Sequence, residues 1–319
     1  ARPVAGGKAV NFRSALLSRS RRKEGIRRPE GREERRRCSP VLSTMVSRWA
    51  LFKSLRSLHR LREQDPIDDE LRGWNWDKPP LRPRAHFGLG VSEVAYRYCE
   101  TRRDIYLRRM GVAGERTQPL VDGSFVHSVV EAAASDVRRE LALGASGWEA
   151  YERLAGGAAK RLAGLGVNIE QQFWLLDLYK RFALAWCAEE WAPAFTEYRV
   201  DGWPLGLSRN LRVDGLAEGG VVIEAKYGKP HHFHKLALAG YALALEAHLD
   251  VPFEYGILLY VANGLGRASV SWEPVYISSG LRKEFIEERD ALIDLLTSGR
   301  EPPRAANCPE SCPYRGVCR

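Results

Sequence analysis

The sequence predicts an α/β fold, with a helical first half and a sheet in the second. Three observations carry this. Apolar residues recur at helical spacing through long stretches up to Trp191. From Thr196 onward, short β-type runs are mixed with helices. Two of those runs also fold back on each other. Val213-Asp214-Gly215-Leu216-Ala217 and Val221-Val222-Ile223-Glu224-Ala225-Lys226 flank Glu218-Gly219-Gly220, and glycine supplies the positive φ that a tight hairpin needs.

Taken in order, residues 1–44 are rich in Arg, Gly, Ser and Glu without an apolar period, which predicts a disordered basic extension. The first methionine is Met45. The preferred reading makes Met45 the natural start and the preceding residues upstream sequence; the other reading is a basic arm that grips nucleic-acid backbone. A basic amphipathic helix is expected from Met45 to Arg62, and an irregular segment at Gly73-Trp74-Asn75-Trp76-Asp77-Lys78-Pro79-Pro80, since paired prolines cannot continue a helix. Helices are expected over Val91–Arg109 with Ser92 as N-cap, Val121–Leu141, Trp148–Leu165 and Ile169–Trp191. Strands follow at Thr196–Val200, Gly206–Asp214 and Val221–Tyr227, then a helix over His232–His248. Strands at Glu254–Val261 and Ser269–Tyr276 and a helix over Gly280–Thr297 complete the pattern. The expected division is a mainly helical lobe over 45–195, a catalytic sheet with helices over 196–299 and a cysteine-rich tail over 300–319, all in one domain.

The net charge of +9 is misleading when taken globally. Residues 1–44 hold 13 Lys/Arg against 4 Asp/Glu, and the remaining residues hold 36 of each. Global charge therefore carries no argument for nucleic-acid binding by the folded body. No apolar run reaches the length of a membrane span and no secretory h-region is present, which predicts a soluble, cytoplasmic protein. In that reducing setting the six cysteines are expected to be ligands or buried thiols rather than disulfides.

Chemistry concentrates in three places. If the hairpin turn centres on Gly219, Asp214 lies opposite Glu224, and the period of two puts Lys226 on the same face as Glu224. Two carboxylates suit a hard divalent cation such as Mg²⁺ or Mn²⁺, and a lysine beside them can orient water or stabilise charge on a phosphate. By itself, such a hairpin also occurs in many α/β proteins by chance.

The second place is the tail, where Cys308, Cys312 and Cys318 fall within eleven residues broken by prolines. Three thiolates are one short of an iron–sulfur or structural zinc site. Cys38, Cys99 and Cys187 could supply the fourth. Cys187 shares a helical stripe with Ile169, Phe173, Leu176 and Ala183 and reads as a core thiol, whereas Cys99 sits among polar residues and is the better choice. The third place is His127, four residues after Gly123, where a glycine one turn earlier can let a helix approach a sheet closely.

Together, Gly123-x-x-x-His127, Asp214, Glu224-Ala225-Lys226 and a following helix that carries Tyr241 resemble the RecB-like branch of the PD-(D/E)xK nucleases. With one cysteine before that core and three after it, the chain resembles the CRISPR-associated iron–sulfur exonucleases that act with the spacer integrase. The passage from Gly90 through Cys99 to Leu107 resembles their cysteine helix, and the Gly-Trp-Asn-Trp stretch is most similar to their archaeal type I-A subgroup. The resemblance spans residues 70–319.

It implies a restriction-endonuclease-like core that acts on single-stranded DNA or DNA ends as precursors of CRISPR spacers, with integrase subunits as partners. His127, Asp214 and Glu224, with the Ala225 carbonyl, would bind Mn²⁺ or Mg²⁺. Lys226 would be the catalytic lysine and Tyr241 a further active-site residue, and Cys99, Cys308, Cys312 and Cys318 would hold a structural 4Fe–4S cluster. The family's usual glutamine four residues before the tyrosine is Ala237 here, so either His234 or Lys235 substitutes for it or the DNA contact is weakened. Two alternatives are a DNA-binding module that has lost cleavage and a zinc-stapled repair or replication factor. No P-loop is present to support a helicase.

Overall fold

In the computed structural model the structure describes residues 46–170, 172–309 and 311–318. The expectations for residues 1–44, for a helix start at Met45 and for Cys38 lie outside these. The described residues belong to one unit spanning Pro40–Arg319.

The first helix, α1 (Arg48–Gln64), starts where the Ser47 hydroxyl accepts the Ala50 N–H at 3.2 Å, and it buries Leu51 and Leu58. Beyond it, the Gly-Trp-Asn-Trp stretch forms a 3-10 turn, Gly73–Asn75, rather than irregular chain.

Where one helix was expected over Val91–Arg109, the structure has two, α2 (Val91–Ala95) and α3 (Arg103–Arg109). The break has a physical cause. The Arg102 guanidinium donates to the carbonyls of Glu93, Val94 and Tyr96 at 2.6–3.0 Å, so a side chain takes acceptors that the next helical turn would have used. The N-cap is Gly90 rather than Ser92; its N–H is accepted by the Glu93 carboxylate at 2.8 Å. Tyr96, Tyr98 and Cys99 therefore lie on a loop, not inside a helix.

Three longer helices follow: α4 (Gln118–Ala142), α5 (Gly147–Ala163), begun by a Ser146–Glu149 capping box, and α6 (Phe173–Ala188). The last starts four residues later than expected. The Asn168 side chain accepts the Glu170 N–H at 3.1 Å, a local turn that competes with helix. Of the expected stripe Phe173 is exposed, while Leu176, Ala183 and Cys187 are buried, joined on the same core by Trp174, Leu178, Phe182 and Trp186.

Among the described residues, five strands form one sheet in the order β1 (Phe195–Val200), β2 (Leu211–Ala217), β3 (Val221–Tyr227), β4 (Tyr255–Gly264) and β5 (Arg267–Tyr276). All neighbours are antiparallel except β3 and β4. That parallel pair requires a crossover, which is α7 (His234–Leu249). The second strand begins at Leu211, not Gly206, because residues 203–205 make a 3-10 turn closed by Gly206 at φ +74°. The final helix is α8 (Ser279–Ser298). Among the described residues no helix is long and apolar enough to cross a membrane.

The strand period separates two cores. Val221, Ile223 and Ala225 of β3 pack with α4 and α6, while Val222 packs with α2, α7 and α8. Under the second core lies an ion pair with no solvent access. Glu246 of α7 accepts two bonds from Arg282 of α8 at 2.6 and 2.9 Å, and also the N–H groups of Gly73 at 2.8 Å and Phe253 at 3.0 Å. The 3-10 turn fits there because residue 73 is glycine: a Cβ would stand 2.1 Å from the Leu243 carbonyl. Replacing Glu246 with Ala would strand a buried guanidinium, and urea denaturation should show a loss of about 3–5 kcal/mol.

Candidate active site

The hairpin brings its functional residues together by an irregularity in the ladder. Regular β2–β3 pairing runs from Ala217–Val221 to Gly215–Ile223, with Gly219 and Gly220 at φ +76° and +71° in the turn. Continued register puts Asp214 across from Glu224. There the Asp214 side chain itself enters the ladder, and Oδ2 accepts the Ala225 N–H at 2.7 Å. The other oxygen, Oδ1, lies 3.1 Å from Nδ1 of His127 on α4. Gly123 is not what lets α4 approach: a Cβ there would sit 3.8 Å from Tyr227, an ordinary contact.

Glu224 is 3% exposed. Its Oε1 accepts the Tyr96 hydroxyl at 2.9 Å and pairs with Lys226 Nζ. Lys226 also lies over the Tyr96 ring, 4.8 Å from its centroid. The second carboxylate oxygen, Oε2, is buried with no hydrogen-bond partner. A buried, unpaired acceptor on a carboxylate is costly, and it is the observation that fits a cation to this donor set.

The electrostatics follow from burial among like and unlike charges. Burial and the neighbouring Asp214 raise the pKa of Glu224, against the pull of Lys226. Asp214 would also be raised by burial, but His127, Lys226 and the Ala225 N–H together hold it below the usual carboxylate range. Burial works to lower His127, yet the Asp214 carboxylate outweighs it and raises the imidazole. Lys226 is likewise raised, because Glu224 and Asp214 overcome its desolvation. Tyr241 is raised by burial and then by the fields of Glu224, Asp214 and Glu197.

Three residues of this site escaped sequence reasoning. Tyr96 holds Glu224, and only its nearness to Cys99 in the chain could have drawn attention to it. Tyr98 donates or accepts at His234 Nε2 over 3.0 Å, depending on the imidazole tautomer. Glu197 of β1 offers a carboxylate oxygen that, with ligand atoms of His127 and Asp214, falls in a group spanning no more than 4.8 Å.

The position of the missing glutamine is apolar. Ala237 is fully buried. His234 is buried too, its Nδ1 3.3 Å from the Tyr260 hydroxyl, and burial followed by Lys226 pushes its pKa down to about 3. Lys235 pairs with Glu273 on β5.

Cys99, Cys308, Cys312 and Cys318 line one open surface cavity, together with Arg97, Arg103 and Arg304. Two bonds hold the tail there: the Glu115 backbone N–H donates to the Pro313 carbonyl at 2.8 Å, and the Arg103 guanidinium to the Pro302 carbonyl at 2.6 Å. Four thiols around a cavity flanked by guanidinium groups form a donor set that fits a polynuclear, negatively charged thiolate cluster. Cys187 is elsewhere, in the core of α6, its thiol pushed up to about 11 by burial. A second cleft joins Tyr96, Tyr98, Tyr227, Lys229 and His231 to Cys99 and Cys312.

The His127–Asp214 pair predicts a stability window for the metal-free protein. The raised His127 contributes fully below its ordinary 6.5 and loses its contribution as pH rises through the folded value. The depressed Asp214 contributes above its ordinary 3.8 and loses its contribution as pH falls through the folded value. Urea denaturation of wild type and His127→Gln in a chelator should therefore differ most between those two values and converge as pH rises past the raised His127 value.

Comparison with known proteins places this geometry in a family. A profile of the CRISPR-associated exonuclease Csa1 family matches residues 45–168 and 179–319. A CRISPR-associated exonuclease Csa1 of Thermoproteus tenax is 39% identical over 283 residues, covering 84% of this chain and 99% of the relative. Its counterpart in Saccharolobus solfataricus is 30% identical over 278 residues, covering 79% of this chain and 92% of the relative. The chain belongs to the Csa1 family of CRISPR-associated exonucleases.

Proposed function

We propose that the protein is a metal-dependent DNA exonuclease on a PD-(D/E)xK core, with its chemistry at the end of the β2–β3 hairpin. The observation that carries this is the unpartnered Oε2 of Glu224, buried beside Asp214, His127 and Lys226. The relatives' name supplies the reaction class. His127, Asp214 and Glu224 would hold Mn²⁺ or Mg²⁺, with the Ala225 carbonyl as a further ligand. A cation bound there supplies a nucleophilic water at neutral pH and offsets charge on the phosphate.

The chain's own residues do the rest. Tyr96 and Lys226 both bond Oε1 of Glu224, which fixes the carboxylate plane and leaves Oε2 as the free donor. Lys226 keeps its proton beside two carboxylates, so its ammonium can orient the attacking water or donate to a phosphate oxygen. Tyr241, which senses the charge of Glu224 and Asp214, would act as a further donor. The cleft with Tyr96, Tyr98, Tyr227, Lys229 and His231 offers rings and a cation to a single strand or a frayed end.

Cys99, Cys308, Cys312 and Cys318 would carry a 4Fe–4S cluster that staples the tail to the start of α3. Iron and sulfide should be found in anaerobically purified protein and be lost in Cys99→Ala. In the cell we place the activity in CRISPR spacer acquisition, in the cytoplasm and alongside integrase subunits, on the strength of the family resemblance.

With Mn²⁺ and end-labelled single-stranded DNA, wild type should degrade the strand. Lys226→Ala, folded by melting temperature, should be slower by roughly 10²–10³-fold. Binding without cleavage by both proteins would overturn the catalytic assignment and leave a DNA-binding module.

A further inference from the structure

Glu197 is out of place as an ordinary strand residue. It sits in β1 between Thr196, paired with Gly215, and Tyr198, paired with Val213, and continued register puts it across from Asp214. Its φ is +49°, in the left-handed region that side chains other than glycine avoid. No turn is needed there, since the strand resumes with the same register on both sides. Strain of this kind persists where surrounding structure over-determines it, and it collects at functional sites.

The distortion delivers a carboxylate to a particular place. Ligand atoms of Glu197, His127 and Asp214 all lie within 4.8 Å of one another. Two carboxylates at that distance repel unless a cation lies between them. Arg212 on the neighbouring strand β2 pairs with it at 3.7 Å but is mostly exposed, which is weak compensation. Glu224, the acidic side chain of β3, lies outside that three-residue group but brings a buried oxygen that has no partner. A cation held by this group would relieve the repulsion between Glu197 and Asp214.

We propose that Glu197 is a direct carboxylate ligand of the divalent cation at the Asp214 site, and that the left-handed backbone at 197 exists to aim it there. This rests on the metal-dependent reading of the site and extends its ligand set to a third strand. The donors are then three carboxylates and one imidazole, an oxygen-rich set suited to Mn²⁺ or Mg²⁺.

The test is Mn²⁺ titration of the full chain by calorimetry, with metal-free melting temperatures measured alongside. Glu197→Gln should weaken Mn²⁺ binding by about tenfold or more. Glu197→Gly should weaken it equally while melting at or above the wild-type temperature without metal, because glycine adopts positive φ freely. Arg212→Ala should bind Mn²⁺ as wild type does. If both Glu197 variants bind Mn²⁺ like wild type while Asp214→Asn does not, Glu197 is only a partner of Arg212 and the metal-dependent reading stands. If wild type takes up no Mn²⁺, that reading falls and this inference falls with it.

Discussion

The site depends on a substitution within the β2–β3 ladder. Past Gly215–Ile223 the strands stop exchanging regular backbone bonds, and the Asp214 carboxylate accepts the Ala225 N–H. A side chain that replaces a ladder acceptor is fixed almost as firmly as backbone, so Asp214 needs no flexible search to face His127. It also stays charged. A backbone donor, an imidazole and an ammonium converge on it, and together they outweigh its burial.

Glu224 is the contrasting case. It is buried on the same patch, but only one of its oxygens is satisfied, and Asp214 beside it raises its pKa. The two neighbouring carboxylates are thus pushed in opposite directions, with Lys226 paired to Glu224 and His127 to Asp214. Tyr96 then acts as a strut: its hydroxyl bonds Glu224 and its ring carries Lys226. The strut exists because Arg102 ends α2 early and frees residues 96–102 to form a loop. That loop also presents Cys99 to the tail cavity, so one helix break serves both the hairpin and the thiols.

Much of this was legible in the sequence, and what was not has identifiable causes. Asp214, Glu224 and Lys226 could be placed together because a Glu-Gly-Gly turn and a period of two are local properties. The helix over 91–109 could not be divided correctly, because its breaker is an arginine whose guanidinium satisfies carbonyls up to nine residues back, and propensity scales give arginine no such role. The late start of α6 turned on one asparagine side chain. Glu197 was the hardest to see. It lies within an expected strand, Thr196–Val200, and nothing in Thr-Glu-Tyr-Arg-Val announces a left-handed φ. Ala237 was visible as a departure, but only the structure shows that its place is packed in apolar core, with His234 and Lys235 both committed to other partners.

The central claim is that the hairpin is a cation site completed by the free oxygen of Glu224. Anomalous diffraction at the manganese edge from Mn²⁺-soaked crystals tests it most directly. The account predicts a peak within bonding distance of Glu224 Oε2 and Asp214, with His127 alongside. Full Mn²⁺ occupancy elsewhere, with Glu224 Oε2 still unpartnered, would contradict it.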